Sequence, residues 1–82
     1  MAEFNRNIAI TWTTLILAEA EKASGKHPPM NSHHEAYAVI LEELQEYWEE
    51  VMKRPSKRDL ANLKLELIQT AAMCLRTLHD LC

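Results

Sequence analysis

The sequence has few of the residues that interrupt helices or cross-link small folds. Its 82 residues include one glycine, three prolines and two cysteines. So few turn residues argue against a fold of short strands and tight turns, and two cysteines are too few for a disulfide framework. Because 48% of the residues are nevertheless hydrophobic, the sequence predicts an all-α fold, with Cys74 and Cys82 as free thiols in a reducing, cytoplasmic compartment.

Excess positive charge and long apolar runs are also missing. Nine basic residues against twelve acidic ones give a net charge of −3, so no basic stripe is available for a phosphate backbone and we expect no nucleic-acid partner. The apolar stretch 8–18 is too short to span a bilayer, so we expect no membrane partner. A secretory signal ending at 18–20 is the alternative, but threonines interrupt the stretch and its removal would delete a third of the apparent core.

Three helical segments follow one another without a repeat or a linker. The predicted helices span about 3–24, 33–53 and 57–80. Gly25 is placed to cap the first, and a capping box of Ser32 and Glu35 specifies the start of the second. Pro55 ends the second helix, and Ser56 with Asp59 three residues later is a weaker, acidic cap for the third.

The chain is long enough for one domain, residues 1–82, but its core is marginal without a partner. The apolar residues of the third helix cover more than half of its circumference, so this helix must contact more than one neighbour. We therefore predict a three-helix protomer that forms a helical bundle, completed by dimerisation or higher oligomerisation.

Two acidic clusters carry the functional signal. Glu42, Glu43 and Glu46 lie in the second helix, and Glu66 precedes Gln69 by three residues in the third. Residues three or four apart share one helix face, so each cluster offers oxygen ligands to a small volume. Mg²⁺, or Mn²⁺ in its place, takes a few carboxylates and keeps positions for water and phosphate oxygens. Two such helices face to face would form a site for a metal ion and a nucleotide polyphosphate.

A solvated acidic face is the alternative interpretation. A helical projection places six large apolar residues of the second helix on one arc, and the carboxylates fall largely opposite to it. These residues are Tyr37, Ile40, Leu41, Leu44, Trp48 and Val51. Ala36 and Val39 nevertheless lie among the carboxylates and Tyr47 borders them, which is unusual for a fully wet face. We therefore expect a partly covered acidic face.

Two segments resemble a known family: HEAYAVILEELQEYWEEV at 34–51 and ELIQTAAMCLRTL at 66–78. They are similar to the MazG-like all-α nucleoside triphosphate pyrophosphohydrolases, whose pattern is a Glu-Glu-x-x-Glu helix followed by a Glu-x-x-Asp helix. The EELQE run matches the first motif and Glu66 matches the first acid of the second. Gln69 departs from the pattern, because a neutral amide stands where the family has an acid.

The resemblance implies hydrolysis of a nucleoside or deoxynucleoside triphosphate to a monophosphate and pyrophosphate. In that scheme Glu43, Glu46 and Glu66 hold Mg²⁺, Gln69 supplies a neutral oxygen or a water contact, and Glu42 orients or deprotonates the attacking water. The alternative is a catalytically weakened MazG-like module that acts in oligomerisation or in protein or nucleotide binding, because the loss of one charged ligand weakens a magnesium site.

Four further polar residues are candidates for substrate contacts. His34 lies in the first turn of the second helix, where a neutral imidazole is able to contact substrate. Lys53 and Arg54 follow that helix and either meet phosphates or complement its dipole. Glu19 projects onto the predicted apolar stripe of the first helix, which also contains Ile8, Trp12, Leu15 and Ala23. A carboxylate on this stripe requires a basic partner or the metal.

Overall fold

A computed structural model describes residues 3–82 of the chain, and all regular secondary structure within them is helical. The elements are α1 (Arg6–Lys26), α2 (His33–Val51), a short 3₁₀ turn (Pro55–Lys57) and α3 (Leu60–Leu81). The prediction of an all-α protomer with three helices is confirmed.

The boundaries of α1 differ from the prediction at both ends. The helix begins at Arg6 rather than Glu3, because the side chain of Asn5 accepts hydrogen bonds from the backbone amides two and three residues further on, at 2.9 and 3.1 Å. At the other end the helix passes through Gly25 to Lys26, and Gly25 does not adopt the left-handed conformation of a helix cap. The helix stops instead before the two prolines that follow.

The N-cap predicted at Ser32 is confirmed, and the return bond to Glu35 comes from the residue before the cap instead of from Ser32 itself. Ser32 Oγ accepts a hydrogen bond from the amide of Glu35 at 3.1 Å, and the Glu35 carboxylate accepts one from the amide of Asn31 at 3.2 Å. The α2 helix ends two residues earlier than predicted, at Val51.

The start of α3 also differs from the prediction by three residues. Asp59 is the cap, and its Oδ1 accepts a hydrogen bond from the amide of Ala61 at 2.9 Å. Ser56, which we had assigned to a weak cap, lies in the 3₁₀ turn before it. The helix therefore begins at Leu60, because Asp59 combines an extended backbone with a side chain that accepts hydrogen bonds from the first turn of the helix.

The α3 helix lies at the centre of the protomer, and both α1 and α2 pack against it. Two hydrogen bonds tie the ends of the antiparallel hairpin that α2 and α3 form. At one end Asn62 Nδ2 donates to Glu50 Oε1 at 2.7 Å, and at the other the amide of Met30 donates to Asp80 Oδ2 at 2.9 Å. The prediction that the third helix contacts more than one neighbour is confirmed.

The core of the protomer consists of small and flexible side chains. It contains Ala20, Met30, Ala36, Ala72 and Met73. The predicted stripe of α1 is wrong in part: Ile8 and Leu15 are exposed, whereas Ile16 packs against the core with the buried Ala20.

The α2 helix turns its acidic face inward and its apolar face outward. Glu43 and Glu46 are half-buried and Glu50 is buried, while Leu44 and Trp48 are exposed. Cys74 and Cys82 are both exposed as free thiols, although a helical projection predicts Cys74 on the apolar side of α3. Within 3–82, no helix has both the length and the apolar character to cross a membrane.

Candidate functional site

The hairpin register brings the two acidic motifs to the same level. Because α2 and α3 run antiparallel, a step of one turn towards the start of α2 corresponds to a step of one turn towards the end of α3. The Glu50–Asn62 contact fixes this register, and one turn further along Glu46 lies beside Glu66. One more turn brings Glu43 and Gln69 together at the wall of a cleft. The expected convergence of both motifs is therefore present in the fold.

Three carboxylates form a cluster, which we call the carboxylate cluster: Glu43, Glu46 and Glu66. One oxygen of each lies within 4.8 Å of the others. Glu66 is only 9% exposed, and Glu43 and Glu66 each have a buried oxygen, Oε2, without a hydrogen-bond partner. Ion pairs within 3–82 involve other acids, Glu50 and Asp80, so no basic side chain neutralises the cluster.

The pKa values of two cluster members are raised. Burial is the main cause for Glu66, and the neighbouring carboxyls of Glu46 and Glu43 add to it, which raises the pKa of Glu66 to about 7. The pKa of Glu43 is raised by burial and then by Glu46 and Glu42. The cluster therefore holds a proton near neutral pH or needs a cation to ionise fully.

The donor set fits a hard divalent cation. Mg²⁺ prefers oxygen ligands in an octahedron, in which adjacent oxygens lie about 3.0 Å apart and opposite ones about 4.2 Å. The three carboxylates, with oxygens within 4.8 Å of one another, would therefore have to rotate inward to share one ion. The two oxygens without a hydrogen-bond partner are the observation that distinguishes this cluster from an ordinary acidic face, because buried polar atoms are normally satisfied.

A cleft of about 490 Å³ adjoins the cluster at Glu43 and lies between α1 and the α2–α3 hairpin. Glu19 and Gln69, both predicted as site residues, line it together with Glu43. Glu19 also contributes to the raised pKa of Glu43. Glu19 therefore lies close enough to repel the cluster, and within residues 3–82 it forms no ion pair with a basic side chain.

Basic residues at the cleft were missed from the sequence. Lys22, Lys26 and Arg76 line it. Arg76 is buried, and its guanidinium donates to Ser24 Oγ at 3.1 Å and to the carbonyl oxygen of Pro28 at 3.0 Å. An arginine within the apolar AAMCLRTL run was the available signal, because a charge on a core-facing helix requires polar partners.

Four other predicted residues do not line the cleft. Glu42 is exposed beside Glu43, and His34 is exposed in the first turn of α2. Lys53 forms a 2.9 Å ion pair with Glu50, and Arg54 is exposed next to it, near the connection between α2 and α3. This connection lies at the opposite end of the hairpin from the α1–α2 loop that lines the cleft.

Glu50 is acidic but is not part of the carboxylate cluster. Hydrogen bonds from the Lys53 side chain, from the Asp59 amide and from the Asn62 side chain lower its pKa to about 2. These partners come from the hairpin connection and from the first turn of α3. Glu50 therefore joins α2 to α3, and its charge is already compensated.

Comparisons of the chain with protein-family models, curated proteins and solved structures found no match.

Proposed function

We propose that the protein is a divalent-metal-dependent nucleoside triphosphate pyrophosphohydrolase that releases a monophosphate and pyrophosphate. The observation that carries the proposal is the carboxylate cluster, whose three acids converge without a basic partner beside a cleft. A bound divalent cation would compensate the charge of these carboxylates. Phosphate oxygens of a substrate are then suitable further ligands for the cation.

In this proposal Glu43, Glu46 and Glu66 hold Mg²⁺ or Mn²⁺. A bound ion would neutralise the cluster and polarise a phosphate oxygen of the substrate. The half-buried Glu43 lines the cleft and so connects the cluster to it, while the burial of Glu66 restricts the orientation of its carboxylate.

The basic residues at the cleft are suited to the phosphate groups. Lys22 and Lys26 are four residues apart on α1 and therefore share one helix face, and Arg76 reaches the same cleft from α3. Lys53 is occupied by Glu50. We therefore assign phosphate contacts to Lys22, Lys26 and Arg76 in preference to Lys53 and Arg54.

The proton of the attacking water requires a carboxylate acceptor. Glu42 and Glu43 are the candidates, because Glu42 is exposed next to the cluster and Glu43 reaches both the cluster and the cleft. The water oxygen bonds to the α-phosphorus, the bond from that phosphorus to the bridging oxygen breaks, and pyrophosphate leaves with its electron pair.

A Mg²⁺-dependent assay of pyrophosphate release with a panel of ribo- and deoxynucleoside triphosphates tests this function. We expect release with at least one substrate and a loss of at least about a hundredfold in Glu66→Gln, since that variant removes a buried ligand charge. Glu21→Gln is the control, because Glu21 is exposed on α1 away from the cleft. If no substrate releases pyrophosphate, the proposal is contradicted and the non-catalytic module is favoured. The neutral Gln69, in place of a charged metal ligand, would be consistent with that alternative.

A further inference from the structure

The protomer exposes more surface than a monomer of its mass. Its accessible surface is 6400 Å². A monomeric globular protein of 9.5 kDa exposes about 5,000 Å². The surplus of about 1,400 Å² exceeds the roughly 800 Å² that each partner buries in a standard stable interface. The protomer therefore has the free area for an extensive contact.

Part of this surplus lies in one continuous stripe along α2. The stripe, which we call the α2 seam, consists of Tyr37, Leu41, Leu44, Trp48 and Val51. The exposed fractions of the first four are 68, 36, 47 and 56%. Steps of four, three, four and three residues are the heptad spacing that places side chains against a second helix in coiled-coil packing.

No ionisable group that is charged at neutral pH flanks the α2 seam at the neighbouring heptad positions. These positions hold Ala38, Ile40, Gln45, Tyr47 and Met52. In a contact between two identical copies, like charges at these positions would face each other and oppose association. Because such charges are absent from these positions, the α2 seams of two copies can pack against each other without electrostatic repulsion.

The acids of α2 lie away from the seam. Glu43 and Glu46 face α3 within the same protomer, where they join Glu66. A helix that covered the seam would therefore leave the carboxylate cluster and its cleft untouched. The two faces of α2 are separate surfaces with different chemistry.

We infer that the α2 seam is the interface of a homodimer, in which α2 of one copy packs against α2 of a second copy. A second copy of the chain is the partner that this surface fits. Two seams would pack together without like-charge repulsion, and the surplus area is large enough for a stable dimer. Each copy keeps a complete carboxylate cluster. The inference does not depend on the proposed catalytic function.

The α1 helix offers the main rival surface. Ile8, Trp12 and Leu15 are exposed there, but their spacing of four and three residues extends over fewer positions, and Lys64 Nζ lies 5.7 Å from the centre of the Trp12 ring. A charge over the largest ring of this surface would have to be displaced or buried in a contact between copies. Leu15 and Leu44 are 45% and 47% exposed, so they form a matched pair for a test.

The experiment measures molar mass by light scattering at about 1–100 μM protein, with helix content recorded by circular dichroism. We expect the wild-type chain to be a dimer. Leu44→Glu should give a helical monomer, with a dimer dissociation constant raised at least about a hundredfold by a charge buried in the contact. Leu15→Glu introduces the same charge at equal exposure and should remain a dimer.

The paired Leu41→Ser and Leu44→Ser substitutions provide a neutral variant should Leu44→Glu prove unfolded. They remove the central apolar contacts of the seam and should also give a helical monomer. Three results would overturn the inference: a helical wild-type monomer at 100 μM, a dimer unchanged by both seam variants, or dissociation caused by Leu15→Glu alone. Retention of metal-induced stabilisation in the monomeric variant is expected, because the carboxylate cluster lies within one protomer.

Discussion

Asn62 in the first turn of α3 donates a 2.7 Å hydrogen bond to the buried carboxylate of Glu50 near the end of α2. This contact sets the register of the hairpin. One turn further along the hairpin, this register places Glu46 beside Glu66. Another turn along, it places Glu43 near Gln69. Glu50, an acid of α2 outside the EELQE motif, thus joins the two helices and positions the acids of the cluster.

The first prediction concerns this joint. Glu50→Gln should lower the melting temperature at neutral pH more than Glu49→Gln, because Glu50 accepts three hydrogen bonds and pairs with Lys53, whereas Glu49 is exposed. The pKa of Glu50 in the folded state is about 2, below its ordinary value of 4.5. Its stabilisation is therefore present above pH 4.5 and is lost as the pH falls towards 2. Thermal unfolding from pH 7 to pH 2 measures both effects.

The difference between Glu50→Gln and the wild type should accordingly shrink as the solution is acidified. A melting temperature equal to that of Glu49→Gln at pH 7 would show that the hairpin register does not depend on this carboxylate.

The second prediction concerns metal binding. Millimolar Mg²⁺ or Mn²⁺ should raise the melting temperature, because the ion binds the folded carboxylate cluster; a concentration one hundred times the dissociation constant corresponds to about 2.7 kcal/mol. Glu43→Gln and Glu66→Gln should reduce this gain, and Glu21→Gln should leave it unchanged. Identical melting curves with and without the ions would favour a purely acidic surface with no metal site.

The third prediction concerns pH in the absence of metal. The pKa of Glu66 is raised to about 7, mainly by burial, from its ordinary value of 4.5. The folded state binds the proton more tightly than the unfolded state does, so this stabilisation is complete below pH 4.5 and is lost as the pH rises through 7. Metal-free protein should therefore gain stability on acidification from pH 8 to pH 6, by on the order of 1 kcal/mol after allowance for solvent screening.

Chemical denaturation at several pH values measures this dependence, and Glu66→Gln should flatten it. With metal present the trend reverses, because the ion requires ionised ligands: the stabilisation by Mg²⁺ should be larger at pH 8 than at pH 6. The same pH slope in wild type and Glu66→Gln would assign the dependence to other groups, such as the four histidines.

The fourth prediction concerns Gln69, which shares the cleft wall with Glu43. If Gln69 is a weakened metal ligand, Gln69→Asp should tighten Mg²⁺ binding and increase hydrolysis at limiting metal. Gln69→Glu is the companion variant, since the shorter aspartate reaches less far. If Gln69 instead contacts the substrate, both changes should raise the KM for nucleotide by charge repulsion while metal binding stays equal or improves.

Calorimetric metal titration together with steady-state kinetics separates these outcomes. No change in metal affinity, nucleotide binding or turnover in either variant would exclude Gln69 from the site and remove the second motif from the proposed mechanism.

The sequence alone determined the helices and the candidate ligands. The chain contains three apolar segments with helical periodicity, separated by prolines and cap residues. Periodicity, prolines and caps act through local backbone preferences, so they predict helices without knowledge of the tertiary fold. The N-cap at Ser32 was therefore correct, whereas the cap at Gly25 failed, because α1 continues one residue beyond the glycine in ordinary helical geometry. The acids at 43, 46 and 66 were identifiable because helical spacing alone places them on common faces.

Only the tertiary structure decided which face of each helix is inside. A projection of α2 shows an acidic face and an apolar face, but it does not show that the acidic face packs on α3 while Leu44 and Trp48 remain outside. The hairpin register, fixed between Glu50 and Asn62, turns the acids inward and places Glu43 at a cleft that Lys22 of α1 and Arg76 of α3 also line. Such contacts join residues far apart in the chain, so local periodicity contains no information about them.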